Sequence, residues 1–394
     1  MGNNTAGVER LQRFGETIFA TMTRAAQEAG AINLGQGFPD TDGPQSVLAT
    51  AQAEIANGNN QYAPPAGFPV LREAIARRFE RSYGIPVDPN NEVLVTVGAT
   101  EGLAASVLGL VEPDDEVIVF EPYFDSYAAI IAMAGAKQVT LSLKATEDSW
   151  DLDIAALTGA ITPRTRMILI NSPHNPTGAV FTTETLEQLA QVAHEHDLYI
   201  LADEVYEYQV FDGQPHRPLA SFSGLSERTI TVSSAAKTFQ VTGWKTGWVI
   251  ARAELIQAIT RAKQFVTFVG FSAAQPAVAQ GLNHEMEWVY ANRAELERKR
   301  DFLAQALTDA GFKVAHTSGS FYIVADIRGI TEKTGAEYCF ELIKQVGVAA
   351  IPVEVFCDHP EKWQRYIRFA FCKQWDVLEE AARRLQSLQP ENGA

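Results

Sequence analysis

Residues 229–251 read TITVSSAAKTFQVTGWKTGWVIA, and this stretch decides the fold. It opens on a short β-branched run, 229–232 (TITV), and closes on a second apolar run, 248–251 (WVIA). Between them the chain turns polar and carries two lysines, Lys237 and Lys245. Short runs that are apolar throughout predict strands buried on both faces. Upstream the pattern recurs at 93–97 (VLVTV), 116–120 (EVIVF), 167–170 (MILI) and 199–202 (YILA). Amphipathic segments at 98–110, 126–136 and 184–194 separate them as predicted helices. Such alternation predicts an α/β region with a largely parallel sheet covered by helices on both sides. A ligand is then expected in the loops beyond the carboxyl ends of those strands.

The flanks read differently. A long charged helix, 285–310, leads into strands near 321–327, 349–355 and 366–372 with helices between, which predicts a smaller α+β domain. The first 45 residues read as an extended arm that ends in a Gly/Pro loop at 35–44. The expected division is an arm over 1–45 that packs with the small domain, a large domain over 46–285, and the small domain over 286–394. The uncharged stretch 265–282 contains Thr267, Ser272, Gln275, Pro276 and Gln280, so buried core helices are expected there and not a membrane span.

Composition removes whole classes of function. The chain has 394 residues, with 32 Lys+Arg against 48 Asp+Glu and a net charge of −16. That sign is wrong for binding nucleic acid or an anionic membrane surface. Cys339, Cys357 and Cys372 are odd in number and widely spaced, which suits neither a disulfide framework nor a zinc site and points to the cytoplasm. Residues 1–16 lack the apolar core of a signal peptide, and Gly2 lacks the Ser or Thr that myristoylation expects where Ala6 stands.

The unusual residues fall at predicted strand ends. Gly98-Ala99-Thr100 opens a helix whose free N–H groups suit an anion. Asn171 to Gly178 (NSPHNPTG) follows MILI, Asp203-Glu204-Val205-Tyr206 closes YILA, and Ser234 and Lys237 follow TITV. Singly, each has an ordinary explanation: a glycine turns, an aspartate caps, a lysine is solvated. Together they describe one ligand. A lysine that forms an imine needs its pKa lowered by burial or a neighbouring cation. A carboxylate and a phenol three residues apart can address two edges of a heteroaromatic ring. A serine, a second lysine and a helix N-terminus make a phosphate site. The set specifies pyridoxal phosphate. His174 reads as structural, and His194-Glu195-His196 is no metal site, because helix residues two apart point to different sides.

NLGQGFPD (33–40), NQY (60–62), EPYFDSY (121–127), SPHNPTG (172–178), DEVY (203–206), SAAKTFQVTGWKTGW (234–248) and YIRF (366–369) occur in that order. In these motifs the chain resembles the class I/II aminotransferases of the fold-type I pyridoxal-phosphate enzymes. Within them it is most similar to the branch of kynurenine/glutamine and actinobacterial N-succinyldiaminopimelate aminotransferases. The resemblance implies a covalent imine at Lys237, which then shuttles a proton between the substrate Cα and the cofactor. It implies Asp203 at the pyridinium nitrogen, and Tyr206 and Asn175 at the phenolate oxygen. Phe124 stacks on the ring, with Tyr123 as rival. Ser234, Lys245, Ala99 and Thr100 hold the phosphate, and Tyr62 reaches the phosphate of a neighbouring subunit, making a homodimer with shared sites. Arg368 anchors the α-carboxylate with help from Asn171, and the Gly37 backbone lines the substrate site. Phe19 and Phe268 are candidates for the side-chain pocket, against packing in the core or an interface. Lys245 stands where many aminotransferases carry Arg, although the most similar branch also has Lys.

The implied reaction moves an amino group from an L-amino acid to a 2-oxo acid such as 2-oxoglutarate. Candidate donors are N-succinyl-L,L-diaminopimelate and an aromatic or sulfur amino acid. One alternative is a β-lyase acting on cysteine S-conjugates or cystathionine, which would release pyruvate and ammonia without an added oxo acid. Another is a ligand-sensing regulator, against which stand the acidic charge and the short arm before NLGQGFPD.

Overall fold

A computed structural model describes residues 7–388, so Gly2 and Ala6 lie outside the described residues. The main sheet contains β1 (Val93–Val97), β2 (Glu116–Glu121), β3 (Lys137–Ser142), β4 (Thr165–Asn171), β5 (Tyr199–Asp203), β6 (Thr229–Ser234) and β7 (Thr246–Ile250). Their spatial order is β1-β7-β6-β5-β4-β2-β3. All neighbours pair in parallel except the two pairs made by β7, which are antiparallel. Leu94, Ile118, Ile168, Leu201, Val232 and Val249 are wholly buried, as strands covered on both faces require. The helix Thr183–Glu195 shows how the cover forms. The Thr182 side chain caps it by accepting from the Thr185 N–H, and Leu186, Leu189, Ala190 and Ala193 form its buried stripe.

A second, antiparallel sheet is built from β8 (Lys313–Val314), β9 (Tyr322–Asp326), β10 (Ile351–Pro352) and β11 (Tyr366–Ala370), in the order β8-β9-β11-β10. The helix Met286–Asp309 precedes it. The N-terminal segment is not simply extended. Thr17 caps a helix, Ile18–Glu28, and apolar residues at 18, 22, 25 and 26 give it one buried face. Ile32–Asn33 then pairs in parallel with Val348–Ala349, and Met22, Ala26 and Leu34 share an apolar core with Phe321, Ile323 and Phe369.

Three further expectations need correcting. The single strand expected over 349–355 is two short pieces followed by a 3-10 turn, Val353–Phe356, because Pro352 has no N–H to continue a ladder. Strand β3 was not foreseen. It lies at the sheet edge, half-exposed and pairing only with β2, so it lacks the apolar run that marks a central strand. The stretch 265–282 is only half a buried helix. Ala274–His284 is helical and mostly buried, whereas Phe265, Val266, Phe268 and Phe271 are exposed, with Phe265 at 86%. Lys263, the last residue of the helix Ala253–Lys263, holds this outer loop by donating to the carbonyls of Pro65 (2.8 Å) and Phe268 (2.6 Å), and Phe268 adopts a left-handed φ of 64°. Among the described residues no helix is long and apolar enough to cross a membrane.

Candidate active site

Five parallel strands end at one edge of the main sheet, and the residues at or beyond their ends line a cavity of about 220 Å3. Behind β1 come Gly98, Ala99 and Thr100; behind β2, Phe124; from β4, Asn171 and Asn175. Asp203 ends β5 with Tyr206 beyond it, and Ser234 ends β6 with Lys237 beyond it. Lys245 precedes β7 and also lines the cavity. It reaches this edge only because β7 runs against the others, so that the start of β7 meets their ends. The second sheet contributes Tyr322, the first residue of β9.

One end of the cavity is built for an anion. Gly98 has a φ of 70° and starts the helix Gly98–Leu110, whose first N–H groups have no intrahelical acceptor. A Cβ on Gly98 would lie 3.3 Å from the Lys245 Nζ, and a Cβ on Gly247 would strike the Gly98 carbonyl carbon. Two glycines therefore let a cation and a helix N-terminus converge beside Ser234. Among the described residues Lys245 has no carboxylate within 4.0 Å, so its charge is not already neutralised.

The centre holds a buried acid and an amine. The Tyr127 hydroxyl donates to Asp203 Oδ2 at 2.6 Å, and the Val205 N–H approaches Oδ1 at 3.4 Å. Burial pushes the Asp203 carboxyl up to about 6, while the Tyr127 hydroxyl, the Val205 N–H and the Lys237 ammonium pull it down. Such a carboxylate gains most from a cationic partner, and a protonated ring nitrogen is one. The Lys237 Nζ donates to the Gly37 carbonyl at 3.3 Å and lies 5.5 Å and 5.2 Å from the ring centroids of Tyr206 and Phe321. It is held by a carbonyl and two rings, and among the described residues it makes no ion pair within 4.0 Å. The Gln209 amide ties down the Lys237 backbone by donating to its carbonyl at 3.1 Å. An anion cup, a buried acid and a free amine in one cavity fit the donor set of pyridoxal phosphate.

The third region surrounds Arg368, on β11 and 1% exposed. Its Nη1 donates to Asn175 Oδ1 (2.9 Å) and its Nη2 to the Gly35 carbonyl (3.0 Å), while its Nε has no hydrogen-bond partner among the described residues. Arg368 does not itself line the cavity; Asn175 and Tyr322 stand between. Asn171 lines the cavity, but its amide is engaged, donating to the Asp203 carbonyl (2.8 Å) and accepting from the Asn175 N–H (2.6 Å). It braces the NSPHNPTG turn. Gly37 meets the site through its carbonyl, and a Cβ there would collide with the Tyr322 hydroxyl. Gly37→Ala should therefore cost about 1–3 kcal/mol of stability and most of the turnover, read by thermal unfolding beside the rate. An unshifted melting temperature would show that the Tyr322 ring can yield.

Phe19 and Phe268 do not line the cavity, and Tyr62, expected to reach a neighbouring subunit's phosphate, faces outward. Tyr62 is 80% exposed and packs edge-on against Phe268, itself 42% exposed, with ring centroids 5.4 Å apart. Phe19 packs against Phe356 at 5.7 Å, and the Arg368 guanidinium lies 5.4 Å from its ring, so it supports the cation without lining the cavity. Phe124 lines the cavity, whereas its rival Tyr123 points its hydroxyl at Asp358 Oδ1, 2.9 Å away. His174 is buried against Thr177 at 2.8 Å, and burial pushes it down to about 3, which leaves it neutral. Sequence reasoning missed Tyr127 and Tyr322. Tyr127 ends EPYFDSY and was open to notice; Tyr322 looks like any core residue of a strand.

Residues 29–385 match the family described as aminotransferase class I and II. The chain is 49% identical over 389 residues to a probable N-succinyldiaminopimelate aminotransferase of Mycobacterium tuberculosis, spanning 97% of this chain and 98% of that protein. It is 38% identical over 381 residues to the methionine aminotransferase of Escherichia coli K12, spanning 96% and 97%. The solved structure of N-succinyldiaminopimelate aminotransferase from Mycobacterium tuberculosis matches with a TM-score of 0.96 at 50% identity, covering 98% of this chain and all of that one.

Proposed function

The chain belongs to the class I and II aminotransferase family, as an aminotransferase of fold type I, and on that premise we propose that it works with pyridoxal phosphate held covalently at Lys237. The observation that carries this reading is the meeting of the Lys237 amine, the Asp203 carboxylate and the Lys245 cation in one cavity. When bound, the cofactor supplies an electron-poor ring that spreads the negative charge left as the Cα–H bond breaks. Asp203 keeps the ring nitrogen protonated, with the Tyr127 hydroxyl fixing the carboxylate's direction. Tyr206 and Asn175 would hydrogen-bond the phenolic oxygen, and Phe124 would stack on the ring; all three line the cavity. Lys245, Ser234 and the N–H groups of Ala99 and Thr100 hold the phosphate. Lys237 would hold the cofactor covalently and, as the free amine, would serve as the base for the substrate's Cα proton. Arg368 holds the α-carboxylate, a task suited to a buried guanidinium that has no acidic partner within 4.0 Å among the described residues.

The homodimer belongs to the same proposal. Tyr62 with the exposed Phe265, Val266, Phe268 and Phe271 supplies an apolar surface for a second copy, and Tyr62 would reach the partner's phosphate. The division into an arm (1–45), a cofactor domain (46–285) and a smaller domain (286–394), and a place in the cytoplasm with three free cysteines, complete it. We take N-succinyl-L,L-diaminopimelate as the donor and a 2-oxo acid as the acceptor, supported by 49% identity over almost the whole chain. The test follows the cofactor's absorbance band as single amino acids are added. N-succinyl-L,L-diaminopimelate is expected to bleach it at lower concentration than methionine or kynurenine. The reverse order would overturn the choice of donor, and pyruvate released without an oxo acid would indicate β-elimination.

A further inference from the structure

We propose that Tyr322 is the positioning residue of carboxylate recognition: its ring forms the cavity wall against which the Arg368 guanidinium is held. The proposal rests on the reading of Arg368 as the substrate's carboxylate anchor. Arg368 Cζ lies 4.0 Å from the Tyr322 ring centroid, nearer than to the rings of Phe356 (5.2 Å) or Phe19 (5.4 Å). Of the pair, Tyr322 lines the cavity and Arg368 does not. Strand pairing explains the approach. Val324 on β9 faces Arg368 on β11, so Tyr322, two residues earlier, is its diagonal neighbour on the same face.

The ring itself has little room to move. Its hydroxyl lies 3.5 Å from the Tyr206 hydroxyl on one side and presses on the Gly37 backbone on the other, where a Cβ could not fit. The guanidinium it supports is a buried cation whose two Nη groups bond to Asn175 and Gly35 and whose Nε has no partner among the described residues. An aromatic face attracts such a cation and fixes its height. Two-pronged recognition of a carboxylate depends on that orientation, and a long flexible side chain does not keep it unaided. A tyrosine that touches the glycine backbone, Tyr206 and Arg368 at once therefore couples the anchor to the place where the cofactor reacts.

The experiment compares Tyr322→Leu, Tyr322→Phe and Arg368→Gln in the cofactor-loaded enzyme. Tyr322→Leu is expected to raise KM for both the amino donor and 2-oxoglutarate about tenfold, with a much smaller change in kcat. Calorimetry with glutarate, a dicarboxylate that cannot react, should show a parallel loss of affinity. Tyr322→Phe, which keeps the ring, should restore most of that affinity. KM values for Tyr322→Leu within twofold of the parent, or a Tyr322→Phe variant as weak as Tyr322→Leu, would overturn the role of the ring. Unchanged glutarate binding in Arg368→Gln would instead remove the anchor reading. If circular dichroism shows Tyr322→Leu unfolded, Tyr322→Met takes its place under the same criteria.

Discussion

Lys237→Ala is expected to lower transamination by at least about 10⁴-fold, because on the proposed reading one substitution removes both the covalent attachment and the base that moves the Cα proton. The cavity holds no substitute. Among the described residues the one other amine lining it, Lys245, stands at the anion end beside Gly98. The change also reaches Asp203, because the Lys237 ammonium is one of the groups holding that carboxyl down. The variant should fold, since Lys237 makes no ion pair within 4.0 Å among the described residues and gives up a single 3.3 Å hydrogen bond to Gly37. Its turnover and its cofactor absorbance, read on the same preparation, decide the matter. Turnover above a trace would mean that another group moves the proton.

Asp203→Asn is the second large effect, expected at about 10²–10³-fold in kcat, the range for losing one preorganised charge at a reacting centre. It carries a separate signature in stability. The carboxyl titrates near 3.8 when exposed and at about 6 in the folded protein without cofactor, where burial disfavours its charge. Between those values the folded state holds a proton that the unfolded state has lost, so stability falls as pH rises through this window. The full loss is about 2–3 kcal/mol once pH exceeds the folded value. An asparagine does not titrate there. The cofactor-free variant should therefore gain on the cofactor-free parent as pH rises from 4 to 7, measured by denaturant unfolding at each pH. A difference that stays constant would show Asp203 to be charged throughout and stabilised by its Tyr127 and Val205 partners.

Legibility of the site followed distance along the chain. Asp203 with Tyr206, and Ser234 with Lys237, sit within a few residues of an apolar run, so strand prediction and chemistry coincide there. The Arg368–Asn175 hydrogen bond spans 193 positions, and no local pattern announces it. Asn171 was legible as polar and near the site, but only its bonds to the Asp203 carbonyl and the Asn175 N–H show that its amide is engaged in bracing a turn. The exposed loop with Phe265 and Phe268 was misread because an uncharged stretch looks the same whether it meets its own core or awaits another surface.

Periodicity was enough for the α/β fold and its buried strands, and strand-end chemistry together with the family resemblance picked out the lysine, aspartate and tyrosine that line the cavity. These are local properties: which faces of a segment are apolar, and which residue follows it. Tertiary structure alone decided which strand ends meet. The antiparallel β7 brings Lys245 to the edge where the parallel strands finish. The β9–β11 register sets Tyr322 against Arg368, and a missing Cβ at Gly37 leaves room for the Tyr322 hydroxyl. Such contacts depend on strand direction, register and close approach, and these take their values only when distant segments pack against one another.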